Sequence, residues 1–168
     1  MNALLIISLI LVALFAGATI WRTRNLTESL SAIVFDLPRP LQWSWSVWLW
    51  AVTFLVSIPT IEVLSEKGAE SVGFAMMISL AFTGALPLID KDGRKAHYIF
   101  AIIGSVASQA CTFIISPWWL MMWLLIVVIP LMDRMWWHQS VPVWMWRNGL
   151  LFSEAVCYGT LILAHLTR

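Results

Sequence analysis

The sequence predicts an all-α polytopic integral membrane protein, a single domain built as a six-helix transmembrane bundle with both termini outside. Three observations predict it. Of 168 residues, 61% are hydrophobic and 11% charged, whereas a soluble domain is nearer one quarter charged. With a mean hydropathy of +0.85, a chain this short has too little interior to hide its apolar surface from water. The apolar residues also fall in runs close to the ~20 residues that cross a ~30 Å hydrocarbon core. The cations, finally, are uneven. Arg22, Arg24, Arg39, Lys91, Arg94, Lys95, Arg134 and Arg147 fall in alternate connections, and the other connections and termini carry only Lys67 and Arg168. The positive-inside rule places the larger group in the cytoplasm.

The first expected span is residues 3–21, free of charge. Ala16-Gly17-Ala18 has the look of a signal-peptide cleavage site, but Arg22 and Arg24 follow the apolar run instead of preceding it, so a retained helix is favoured. Residues 22–42 form the longest connection. Asn25 and Glu28 are spaced as a capping box, which predicts a short interfacial helix over residues 26–35, ended by Pro38 and Pro40. The second span is 43–64, opened by Trp43, Trp45, Trp48 and Trp50, with Pro59 inside and Glu62 near its end. The third is 72–89.

A short basic turn, residues 84–98 with their flanks, joins it to the fourth span, 97–115. Ser116 and Pro117 then suit a helix start. The fifth span, 118–137, is the least regular. Only 15 residues precede Asp133, so a re-entrant pair is the rival reading. The sixth is 148–166. Trp21, Trp43, Trp45, Trp136, Trp137, Trp144 and Trp146 gather at the cytoplasmic interface, with Trp118 and Trp119 at the outer one, as an aromatic belt does.

Lipid does not drive helices together, so small residues must admit close approach. Ala101, Gly104, Ser105, Ser108 and Thr112 in span four, with Gly73, Ala81 and Ala85 in span three, predict a close antiparallel hairpin at the bundle centre.

Several function classes drop out. A net charge of +1 gives no field for nucleic acid. Cys111 and Cys157 lie in apolar runs and form neither a disulfide framework nor a zinc motif. No phosphate-binding loop, nucleophile elbow or Cys-x-x-Cys is present, and no cofactor is expected.

One residue stands out: Glu154, a carboxylate well inside span six. Such groups cost a few kcal/mol to insert and are usually functional or paired. Helical spacing places Arg147, Glu154, Tyr158 and His165 on one stripe, and Ser108 and Gln109 of span four are candidates to face it. The stripe reads either as a proton- or ligand-binding site or as a structural hydrogen-bond anchor, Glu154 bonding to Tyr158, Gln109 or Ser108. At the cytoplasmic edge, Asp90, His97, Asp133 and His138 form a second candidate group. They lack ligand-like spacing, so no metal is expected, and His97 reads as a headgroup anchor.

Leu30-Ser31-Ala32-Ile33-Val34-Phe35 after span one, the tryptophan-led span two, Pro87 with acidic residues behind it, and His97-Tyr98 opening span four together resemble a group of small uncharacterised bacterial, sometimes phage-encoded, inner-membrane proteins of six helices. The likeness covers roughly residues 28 to 105. It implies fold and inner-membrane location and transfers no catalytic residue. The expected role is therefore a non-enzymatic membrane component: a small binding, scaffolding or accessory subunit acting through membrane lipids, a partner membrane protein or a second copy of itself. A small transporter or channel using the Glu154 stripe is the alternative, and a metal-dependent intramembrane hydrolase the most remote.

Overall fold

The computed structural model describes residues 2–23, 29–30, 32–89, 94–137 and 141–168. It is helical throughout, with no strand among the described residues. Helix α1 is Asn2–Thr23, α2 Arg39–Ser65, α3 Glu70–Ile89, α4 Arg94–Ile115, α5 Leu125–Trp137 and α6 Val141–Leu166. A 3-10 turn, Ala32–Asp36, precedes α2, and a 3-10 segment, Pro117–Leu124, precedes α5. Four helical stretches are long and apolar enough to cross a membrane: Leu41–Ser65, Glu70–Ile89, Arg94–Ile115 and Asn148–Leu166. Two shorter apolar stretches are Ala3–Ala18 and Pro117–Met132.

The helices overrun the apolar runs, and proline explains one start. Pro40 falls in the first turn of α2, where a missing N–H costs nothing because that donor has no helical acceptor. The prolines expected to end a preceding helix instead open the next one. The interfacial helix expected over residues 26–35 is not what the described residues form. The 3-10 turn replaces its end, and Ile33 and Val34 point inward, fully or almost fully buried. The capping box of Asn25 and Glu28 lies outside the described residues. Ser116 does not cap with its side chain: its backbone is extended and its hydroxyl makes no cap bond. Its N–H continues the α4 ladder to the Thr112 carbonyl at 2.8 Å. The fifth segment is broken into the 3-10 segment and the 13-residue α5, with Pro130 inside α5.

α3 packs closely on both α2 and α4, and glycine permits it. A Cβ on Gly73 would stand 2.7 Å from Ile61 Cγ1, one on Gly84 2.7 Å from Trp50 Nε1, and one on Gly104 2.8 Å from Leu80 Cδ2. The expected close hairpin of α3 and α4 is present, but it is not the centre. In α2 and α6, 44% of the apolar stretch is buried, against 33% in α3 and α4, because Phe74, Ile78 and Phe82 of α3 and Ile102 and Val106 of α4 face outward. The main core joins Leu5 of α1, Val52 and Val56 of α2, Met76 of α3, Cys111 of α4 and Leu161 of α6. A second cluster, Ile33, Val34 and Trp45 with Phe15, Phe35 and Trp48 against them, fills the end of the bundle where α1 hands over to α2.

Candidate functional site

α1, α2, α3, α4 and α6 surround a cavity of about 560 Å³, inside the ~300–1,000 Å³ range of small-molecule sites. Its wall is almost wholly apolar, with Val12, Val52, Val56, Met76, Leu80 and Leu161 prominent in it. Several hydroxyl residues also line it: Thr53 Oγ1 is buried with no hydrogen-bond partner among the described residues, whereas Thr83 and Ser108 turn their polarity back on their helices. Thr83 Oγ1 donates to the Ser79 carbonyl at 2.9 Å, and Ser108 Oγ to the Ser105 carbonyl at 2.8 Å. Such back-bonds satisfy the hydroxyl locally and leave the methyl and methylene groups to face the space.

Glu154 and Leu30 meet at this wall. Ser29 Oγ donates to Glu154 Oε1 at 2.6 Å, and the Leu30 N–H donates to Oε2 at 2.7 Å. Both lengths belong to strong bonds of the kind a carboxylate makes. The Leu30 carbonyl in turn accepts from Trp45 Nε1 at 3.2 Å. Glu154 therefore anchors the connection that follows α1, and these partners among the described residues are Ser29 and Leu30 in place of the Tyr158, Gln109 or Ser108 expected. Trp45 is a correction of the same kind. It is 1% exposed and belongs to the interior, whereas Trp43 is 59% and Trp21 84% exposed.

His97 is not a headgroup anchor. It has no exposed surface; its Nδ1 donates to the Thr83 carbonyl at 3.1 Å, and its ring meets Phe35 edge-on and Trp45 at a tilt. Arg94 lies over the Phe35 ring, 5.0 Å from its centre, a cation–π contact.

Of the stripe expected on α6, Tyr158 and His165 bond to other helices. Tyr158 shares a 2.8 Å hydrogen bond with Ser8 of α1. His165, at the far end, pairs with Thr60 of α2 at 2.9 Å. Thr60 has one hydrogen and gives it to the Val56 carbonyl, so His165 Nε2 is the donor. Gln109 ties helices together: its amide donates to Ser108 Oγ and the Cys157 carbonyl, and its carbonyl accepts from Trp123 and Thr160. That uses the full capacity of an amide. Glu154, Tyr158 and Ser108 do share the cavity wall; His165 and Gln109 do not. Asp90 and His138, and the side chains of Asp133 and Arg147, lie outside the described residues. Among the described residues no group of three His, Cys, Asp or Glu is placed to hold a metal ion.

Sequence reasoning missed Ser29, Leu30 and Ser8. The only signal available was helical spacing in α2, which puts Trp45, Trp48 and Val52 on one face and Trp43 away from it. Comparison with family models, with curated proteins and with solved structures finds no match.

Proposed function

We propose that this chain is a non-enzymatic integral membrane protein that binds an apolar ligand within the bilayer, as a small binding or accessory component. The observation that carries the reading is the cavity: about 560 Å³ of space, apolar on nearly every side, inside a bundle of apolar helices. The chemistry supports binding more than turnover. The carboxylate at the wall is held by Ser29 and Leu30, and Gln109 and His165 are committed to bonds between helices.

In this reading α1 and the Pro117–Trp137 region complete six crossings, the cation-rich connections face the cytoplasm, and both termini are outside. The uneven cations support that orientation, and the exposed Trp21 and Trp43 suit an interface at that end. The resemblance noted above supports the bacterial inner membrane.

The test is chemical extraction of protein exchanged extensively into detergent, followed by mass spectrometry. An apolar molecule retained near one per chain is the expected result. An empty protein that instead retains a partner membrane protein would move the reading to a scaffold. Single cysteines check orientation: Ser65→Cys and Ser71→Cys react with an impermeant reagent from outside, and Gly93→Cys does not.

A further inference from the structure

Among the described residues, the cavity wall is thinnest on one side. Around the ring, α1 lies on α2, α3 on α2 and α4, and α6 on α4, but α6 returns to α1 with little contact. Among the described residues, polar ties across that return include Ser8 with Tyr158, and Ser29 with Leu30 to Glu154. Their α6 ends are one helical turn apart, and Ala155 lies on the turn between them. The residues beside this seam are small: Ala13 and Ala16 on α1, Ala155 and Gly159 on α6. All four line the cavity, and Ala13 and Ala155 are also exposed on the outer surface. Cavity and outside thus share residues here. The space is not a close-packed glycine contact. A Cβ on Gly159 would meet nothing within 4 Å, in contrast to Gly73, Gly84 and Gly104.

We propose that the seam between α1 and α6 is a lateral entrance, and that the ligand is the hydrocarbon chain of a membrane lipid. This rests on the reading of the cavity as a binding site. An entrance flanked by outward apolar faces, including Leu9 and Leu14 of α1, meets lipid chains and little else. The wall offers those chains dispersion contact and almost no polar surface. So apolar a wall accepts the chain and leaves the headgroup, which would lose its hydration there, outside.

The experiment uses the full chain reconstituted in phosphatidylcholine vesicles doped with a phosphatidylcholine carrying a diazirine in its acyl chain. Photolysis is followed by mapping of adducts. The expected result is adducts on interior residues such as Trp48, Met76 and Leu161 in the parent. These fall several-fold in Ala155→Trp, which obstructs the seam from its exposed side, while adducts on the outward Ile78 and Val106 stay constant. Ala13→Trp, from the opposite lip, provides the same test should Ala155→Trp fail to fold. A chainless aromatic diazirine separates the two ideas. Interior labelling by that probe but not by the lipid overturns chain entry and leaves the binding cavity standing. Interior labelling by neither overturns both. Interior lipid adducts that both variants leave unchanged overturn the seam as the route.

Discussion

The two halves of the bundle use glycine and alanine in opposite ways. Where α3 meets α2 and α4, a missing side chain lets a neighbour come close. Trp50 fills the space beside Gly84 and sends its Nε1–H to the Ala81 carbonyl at 2.9 Å. Where α6 meets α1, a Cβ on Gly159 would meet nothing within 4 Å among the described residues, so the missing side chain leaves space there. Without a hydrophobic drive between helices in lipid, close contact is the main source of cohesion, so the first region is the rigid frame and the second is its opening. Small residues in a membrane helix carry no meaning until what faces them is known.

That contrast can be broken by substitution. The largest effect is expected at the ties of the open side. Glu154→Ala strips the acceptors from Ser29 Oγ and the Leu30 N–H, which costs ~1–3 kcal/mol per buried donor left unmade. The expected result is a loss of about 2–6 kcal/mol in stability, read by thermal melting in one detergent. Glu154→Gln keeps one acceptor and loses about half as much. A Gln variant as stable as its parent would show that the carboxylate is kept for a purpose other than anchoring.

Next comes the frame. Gly84→Ala forces its methyl against Trp50 and disturbs the indole bond to Ala81, an overpacking cost of ~1–3 kcal/mol. Gly73→Ala meets Ile61 Cγ1 and its backbone Cα at 3.3 Å, so a helix must shift, and a similar loss is expected. Tyr158→Phe removes one neutral hydrogen bond to Ser8 and costs about 1 kcal/mol. It also frees the seam, so more rapid exchange of a chain-labelled lipid is expected alongside. The smallest effect has the opposite sign. Gly17→Ala adds a methyl where nothing lies within 4 Å and gains ~0.5–1 kcal/mol from helix propensity; a clear loss there would show that α1 packs against something on that face.

Much of the frame was legible before the structure. Apolar runs located α2, α3, α4 and α6 because a run of that length has few alternatives, and Gly73 and Gly104 were read as packing residues. The helix starts were less legible, since proline in a first turn and proline after a last turn look alike in sequence. Glu154 stood out because a carboxylate in an apolar helix is expensive. Its partners did not, since Ser29 is 125 residues away and lies in a stretch that reads only as a polar connection. His97 was misplaced for a related reason. Nothing local shows that Phe35 folds back over α4 to bury it. The cavity was not legible at all, because empty space is a property of facing surfaces that one helix at a time does not reveal.

The most direct measurement is a paired melt of Gly159→Leu and Gly84→Leu against the parent in the same detergent, with the retained lipid quantified in each. If the α1–α6 seam opens onto a chain-sized space inside a close-packed frame, Gly159→Leu melts at or above the parent and carries less lipid, whereas Gly84→Leu melts well below it. If Gly159→Leu is as damaging as Gly84→Leu, or retains lipid as the parent does, the space beside α6 is not the binding site.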